Sequence, residues 1–124
     1  MAAATDALAI LLQLERTVTG KGTKDLSVSR TMQSFSAFNV CEQTLLANAV
    51  GVTGNMGGIA TADFVVIYTP QKIGVHVSSP ATTEVAVGSM LLLADSDVTS
   101  LTFDNDLLDT PQDVVIEIWA GKLA

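Results

Sequence analysis

One cysteine, one histidine and three prolines are spread over 124 residues, and no lysine or arginine occurs from Ile73 to Gly121. Each scarcity closes something off. Cys41 cannot form an intrachain disulfide, so nothing points to an oxidising compartment. One Cys and one His do not make a typical zinc site. Nucleophilic catalysis needs a nucleophile, a base and an orienting group, and His76 is the single neutral-pH base on offer. Cys41 lies far from it in sequence and reads as a structural thiol. No apolar run approaches the roughly 18–20 residues that span a bilayer. No basic segment precedes Ala7–Leu12, so a secretory signal is not expected.

Charge is also scarce. Only 15% of residues are charged while 48% are hydrophobic, against a usual charged share of about 25%. A chain of this size forms one domain, 1–124, with a sizeable core and little charge to cover it. Part of its surface is expected to be covered by neighbours. The net charge of −7 is unevenly placed. Residues 1–30 carry Arg16, Lys21, Lys24 and Arg30 against Asp6, Glu15 and Asp25. Residues 73–121 carry Glu84, Asp95, Asp97, Asp104, Asp106, Asp109, Asp113 and Glu117 with no compensating cation. Phosphate backbones would be repelled by such a surface, so nucleic acid is not an expected partner. The acidic end either solubilises the chain or docks on a basic patch, including residues 21–30 of another copy.

What remains is a chain of short alternating segments. Asp6–Val18 alternates with period two, which predicts a strand; an N-capped helix from Thr5 or Asp6 is the competing reading. Thr19-Gly20-Lys21-Gly22-Thr23-Lys24 reads as a turn, and Leu26, Val28 and Met32 alternate after it, predicting a β-hairpin. Phe35–Leu46 predicts one strand, bulged. Val50–Gly58, with Gly51, Gly54, Gly57 and Gly58, reads as a loop; it lacks the pattern of a phosphate-binding loop. Phe64–Tyr68 is apolar throughout, as in a strand buried on both faces. Ile73–Val77 alternates with His76 on the less buried side. Val85 and Val87 are expected to run through a bulge at Gly88-Ser89 into Met90–Leu93. Asp95-Ser96-Asp97 reads as a turn, Thr99–Phe103 as a short strand and Asp104–Asp113 as an acidic loop. The closing strand puts Val114, Ile116 and Ile118 on one face and Val115, Glu117 and Trp119 on the other. Turn signals this frequent predict an all-β protein of about seven to eight short strands, an antiparallel β-sandwich or small jelly-roll-like barrel. Residues 1–6 are a candidate N-terminal arm.

No residue is assigned a catalytic, cofactor-binding or metal-binding role, and no cofactor is expected. Asp95, Asp97, Asp104 and Asp106 are paired loop carboxylates of the kind that bind calcium, but they lack the Gly and bidentate Glu of an EF-hand. Asp pairs in turns more often bond their own backbone. Trp119 is either a core or interface anchor or a platform for a sugar ring.

Thr44-Leu45-Leu46, the Val50–Gly58 loop, Phe64–Tyr68, Ile73–Val77, Glu84–Leu93, Val98–Phe103 and Val114–Trp119 follow one another in a familiar order. Over residues 42–121 this order resembles small β-sandwich virion proteins of tailed bacteriophages. The resemblance implies a non-enzymatic structural protein, made in the host cytoplasm and located in the virion. Its partners would be the major capsid protein or other virion proteins, and it would form a homo-oligomer, with no membrane partner. Capsid decoration is the leading expectation. A neck or tail component, or a host- or carbohydrate-binding β module on a fibre, is the alternative.

Overall fold

The computed structural model describes residues 7–124 other than Lys21 and Ser34, and within them the chain is all-β, with no helix. The proposed arm, residues 1–6, lies outside the described residues. Two compact units result, Met1–Phe35 and Ser36–Ala124.

The first unit is the hairpin expected from its alternation. Strands β1 (Ala7–Val18) and β2 (Gly22–Gln33) pair antiparallel from Ala7↔Gln33 to Val18↔Gly22. The ladder takes in Gly22, Thr23 and Lys24, so the turn is shorter than the glycine pattern suggested. In this register Ala9, Leu11, Ser27, Ser29 and Thr31 share one face, and all five are exposed.

The second unit is an antiparallel sandwich of two four-stranded sheets. One has the order β3 (Phe35–Leu45), β10 (Val114–Leu123), β5 (Ala62–Tyr68), β8 (Met90–Val98). The other has the order β4 (Val52–Thr53), β9 (Leu101–Asp104), β6 (Ile73–Val77), β7 (Val85–Val87). Counted from β3, the sheets read first–eighth–third–sixth and second–seventh–fourth–fifth. That is the strand order of an eight-stranded jelly roll.

Alternation fixes which side chains meet between the sheets. Val114, Ile116, Ile118 and Ala120 of β10 face Val65 and Ile67 of β5 on the inner side, with Ile73, Val75, Leu101 and Phe103 opposite; all belong to one buried cluster. Each of these other than Ala120 contributes about 1.5–3 kcal/mol on burial. Phe64 lies on the other face of β5 yet is also fully buried. Its ring stands 5.5 Å from that of Phe38, which in turn meets Trp119 edge-on at 6.1 Å. The wholly apolar run Phe64–Tyr68 therefore serves two faces.

Four sequence expectations need correction. The glycine-rich segment contains a two-residue strand, β4, because Gly54 lets the chain close onto Phe103 and Leu101: a β-carbon at Gly54 would lie 2.6 Å from the Phe103 ring. Gly88-Ser89 is not a bulge within one strand; it carries the chain from β7 in one sheet to β8 in the other. Asp95-Ser96-Asp97 is not a turn. Pairing passes from Phe64↔Ala94 to Ala62↔Val98, so these three residues face one residue of β5 and form a bulge inside β8. Asp95 takes the positive φ of 52°, a conformation that Asp tolerates better than most residues. The final strand runs on to Leu123, held by a hydrogen bond from the Leu123 amide to Asp63 Oδ2 at 2.6 Å.

Candidate functional site

The most concentrated chemistry sits on the outer face of the β4-β9-β6-β7 sheet. Pairing of Gly74 with Asp104 and of His76 with Thr102 puts all four on one face. It also makes His76 and Asp104 diagonal neighbours, within reach of long side chains. Glu84 arrives from the loop between β6 and β7. His76 Nε2 lies 3.0 Å from Asp104 Oδ2 and 3.3 Å from Glu84 Oε2. The histidine nitrogen and one oxygen of each carboxylate lie within 4.8 Å of one another. The His76 and Asp104 side chains are 15% and 14% exposed and Glu84 33%, so the group opens to solvent mainly on the glutamate side.

Each side chain is fixed by a further contact. His76 Nδ1 lies 2.7 Å from the Thr82 carbonyl oxygen. A carbonyl only accepts, so Nδ1 carries a hydrogen. Thr82 is itself held by a turn, its hydroxyl donating to the Ser79 carbonyl at 2.7 Å and its amide to the same oxygen at 3.2 Å. The Gly51 amide donates to Asp104 Oδ1 at 2.8 Å, which leaves Oδ2 turned toward His76. Gly74 has no side chain where Glu84 lies.

Proton affinities follow from this packing. The hydrogen bond to Thr82 raises the His76 pKa above its ordinary value, helped by the bond to Asp104 and by the charges of Asp104 and Glu84, and opposed by partial burial. The Glu84 carboxyl is raised, first by its hydrogen bond to Asp104, then by burial and by the charges of Asp104 and Asp106. Asp104 is lowered, first by that same bond, then by the Gly51 amide and His76. The opposite directions of the two acids describe one shared hydrogen bond, in which Asp104 keeps the carboxylate form more firmly than Glu84 does.

The residues singled out in the sequence are otherwise dispersed. Asp95 and Asp97 lie in the β8 bulge, away from Asp104 in the other sheet. Asp106 and Asp109 are exposed, and Asp113 Oδ1 accepts from the Ala47 amide at 2.8 Å. Cys41 is half-buried and its thiol lies 3.3 Å from the Asn55 carbonyl oxygen. Trp119 donates through Nε1 to Glu117 and is half-buried. Lys21, offered as part of a basic complement to the acidic end, and the side chains of Lys24 and Arg30 lie outside the described residues.

His76, Glu84 and Asp104 come from three separate segments, and no spacing motif joins them. The only sequence signal is indirect: a lone histidine on an alternating strand, next to a glycine in i−2 on the same face. No helix among the described residues is long and apolar enough to cross a membrane. No protein-family model, no curated protein and no solved structure matches this chain.

Proposed function

We propose that this chain is a non-enzymatic structural protein of a virion, a jelly-roll module that assembles with copies of itself and with the capsid protein of a tailed phage. The observation that carries the assembly is an apolar strip on the outer face of the β3-β10-β5-β8 sheet. Tyr68 pairs with Met90, and Val66 pairs with both Leu92 and Trp119. Met90 is 62% exposed, Val115 51% and Tyr68 48%, with Leu92 and Val40 also exposed. An antiparallel sheet facing water on its outer side ordinarily alternates apolar-in with polar-out. Here Phe64–Tyr68 of β5 and Met90–Ala94 of β8 are apolar on both sides, and a contiguous apolar strip of this kind marks a surface made to be covered.

Two further features support the virion reading. Jelly rolls are a common architecture of viral capsid domains, which is support by analogy of fold. The first unit is a two-stranded hairpin, and two strands alone are marginally stable in water, as suits an element that pairs or packs on a neighbour. Attachment of many copies to a shell would stabilise the assembled state by mass action.

Sedimentation of the purified chain, alone and with particles lacking it, tests this reading. We expect a concentration-dependent oligomer that binds particles, and loss of both in Met90→Lys/Leu92→Lys with the thermal midpoint retained. A wild-type chain that stays monomeric and does not bind particles would overturn it. Specific capture by a glycan array through Tyr68 would replace it with the fibre-module reading.

A further inference from the structure

We propose that His76, Glu84 and Asp104 bind a first-row divalent transition metal ion, with zinc as the reference ion, on the outer face of the β4-β9-β6-β7 sheet. This inference is independent of the assembly reading and rests on three convergent acceptors.

The Thr82 carbonyl fixes the hydrogen of the neutral imidazole on Nδ1. Nε2 is then a lone pair. It points at Asp104 Oδ2 and Glu84 Oε2, which as carboxylate oxygens are also acceptors. Three lone-pair donors facing one another at 3.0 and 3.3 Å repel unless a cation lies among them. Protons can fill that need, and so can one metal ion.

The separations suit a metal. Two ligands each about 2.1 Å from one ion lie roughly 3.0 Å apart at a right angle and roughly 3.4 Å apart at the tetrahedral angle. The observed 3.0 and 3.3 Å fall within that span. The imidazole is oriented as metal-binding histidines are, with the far ring nitrogen donating to a backbone carbonyl. Asp104 is oriented by the Gly51 amide, so a small shift of the flexible Glu84 completes three protein ligands. The open glutamate side leaves the remaining positions to water. One imidazole and two carboxylates match zinc or manganese; calcium, which takes six to eight oxygens, would lose one ligand to a nitrogen.

The other described residues offer nothing comparable. Asp106 and Asp109 are exposed, and neither they nor Cys41 belong to another such group of His, Cys, Asp or Glu among the described residues. The His76 group is the single set of this kind among the described residues.

The test is titration of the full, tag-free chain with zinc, in competition with a chromophoric chelator, while NMR follows the His76 ring. Manganese and calcium are titrated in parallel. We expect one zinc per chain and a shift confined to His76 Nε2 and its neighbours. Glu84→Gln, Asp104→Asn and His76→Asn should each weaken binding by at least about tenfold, since even supporting residues behind metal ligands cost that much. Asp109→Asn, an exposed carboxylate of the loop between β9 and β10, should leave affinity unchanged. Glu84 lies on an exposed loop, so Glu84→Gln keeps the fold and remains informative if Asp104→Asn does not fold. No movement of the His76 resonances at excess zinc would overturn the proposal. So would equal affinity in the wild type and Glu84→Gln, or a loss in Asp109→Asn as large as in Glu84→Gln.

Discussion

Glu84 fills the space that a side chain at Gly74 would need: a β-carbon there would lie 2.4 Å from Glu84 Cδ. Gly74 is buried in β6, and the glutamate folds over it from a neighbouring loop. The atom in the way is the far end of a flexible side chain, so Gly74→Ala can be accommodated by turning Glu84 away. Alanine in a strand also gains roughly 0.5–1 kcal/mol over glycine from a less free unfolded chain. We expect thermal stability to hold or rise slightly while zinc affinity falls as far as in Glu84→Gln. The double variant Gly74→Ala/Glu84→Gln should be no worse than either single one, which chelator competition and thermal melts check.

The same substitution at Gly54 has the opposite result. A β-carbon there would lie 2.6 Å from the Phe103 ring and 2.8 Å from Leu101 Cβ, both fully buried. Neither can swing out of the core. Overpacking of this kind costs typically about 1–3 kcal/mol, so Gly54→Ala should lower the unfolding free energy by that much, seen as a lower urea midpoint at an unchanged slope.

Asn105 is 1% exposed and ties three loops together. Its Nδ2 reaches the carbonyls of Gln112 at 2.8 Å and Leu46 at 3.1 Å, and its Oδ1 accepts from Gln71 Nε2 at 2.6 Å. Asn105→Ala leaves these groups unpaired, at about 1–3 kcal/mol for each that stays dry. We expect a loss of about 3 kcal/mol in urea unfolding on that scale. Asn105→Asp, which turns a donor into a fourth acceptor, should be worse, and increasingly so as pH rises.

Metal-free protein should also report the cluster through pH. The folded His76 pKa is raised above its unfolded value, so its contribution is full below about 6.5 and is lost as pH rises through the folded value. Glu84, also raised, stabilises while protonated and loses that contribution over its own titration. Asp104 is lowered, so its contribution holds above about 3.9 and disappears as pH falls through the folded value. The thermal midpoint of the wild type should therefore decline from mildly acidic to alkaline pH more than that of His76→Gln. A metal needs His76 neutral, so zinc should restore stability at the alkaline side and act least in acid.

The alternating runs made the strands legible. Ile73–Val77 and Val114–Trp119 were readable because one face of each is core and period two survives. Val85–Val87 and Met90–Leu93 read as one bulged strand because both are apolar, and hydrophobicity does not say which sheet a strand joins. The bulge at Asp95–Asp97 looks like a turn because the same residue, Asp, tolerates positive φ in either setting. The His76 group was illegible for a different reason. It is made by a diagonal across β6 and β9 and by a loop folded over Gly74, and neither relation leaves a spacing in the chain.

Of the seven connections in the jelly roll, only that from β6 to β7 stays within one sheet. Neither sheet can therefore be completed by neighbouring segments of chain, and the two must form together. Folding of this unit is expected to be cooperative and slow, in the millisecond-to-second range of proteins dominated by distant pairings. During that interval β5, apolar on both sides, has no finished neighbour. A freshly made chain is then most prone to join the wrong partner through a strand that the finished sheet holds between β10 and β8.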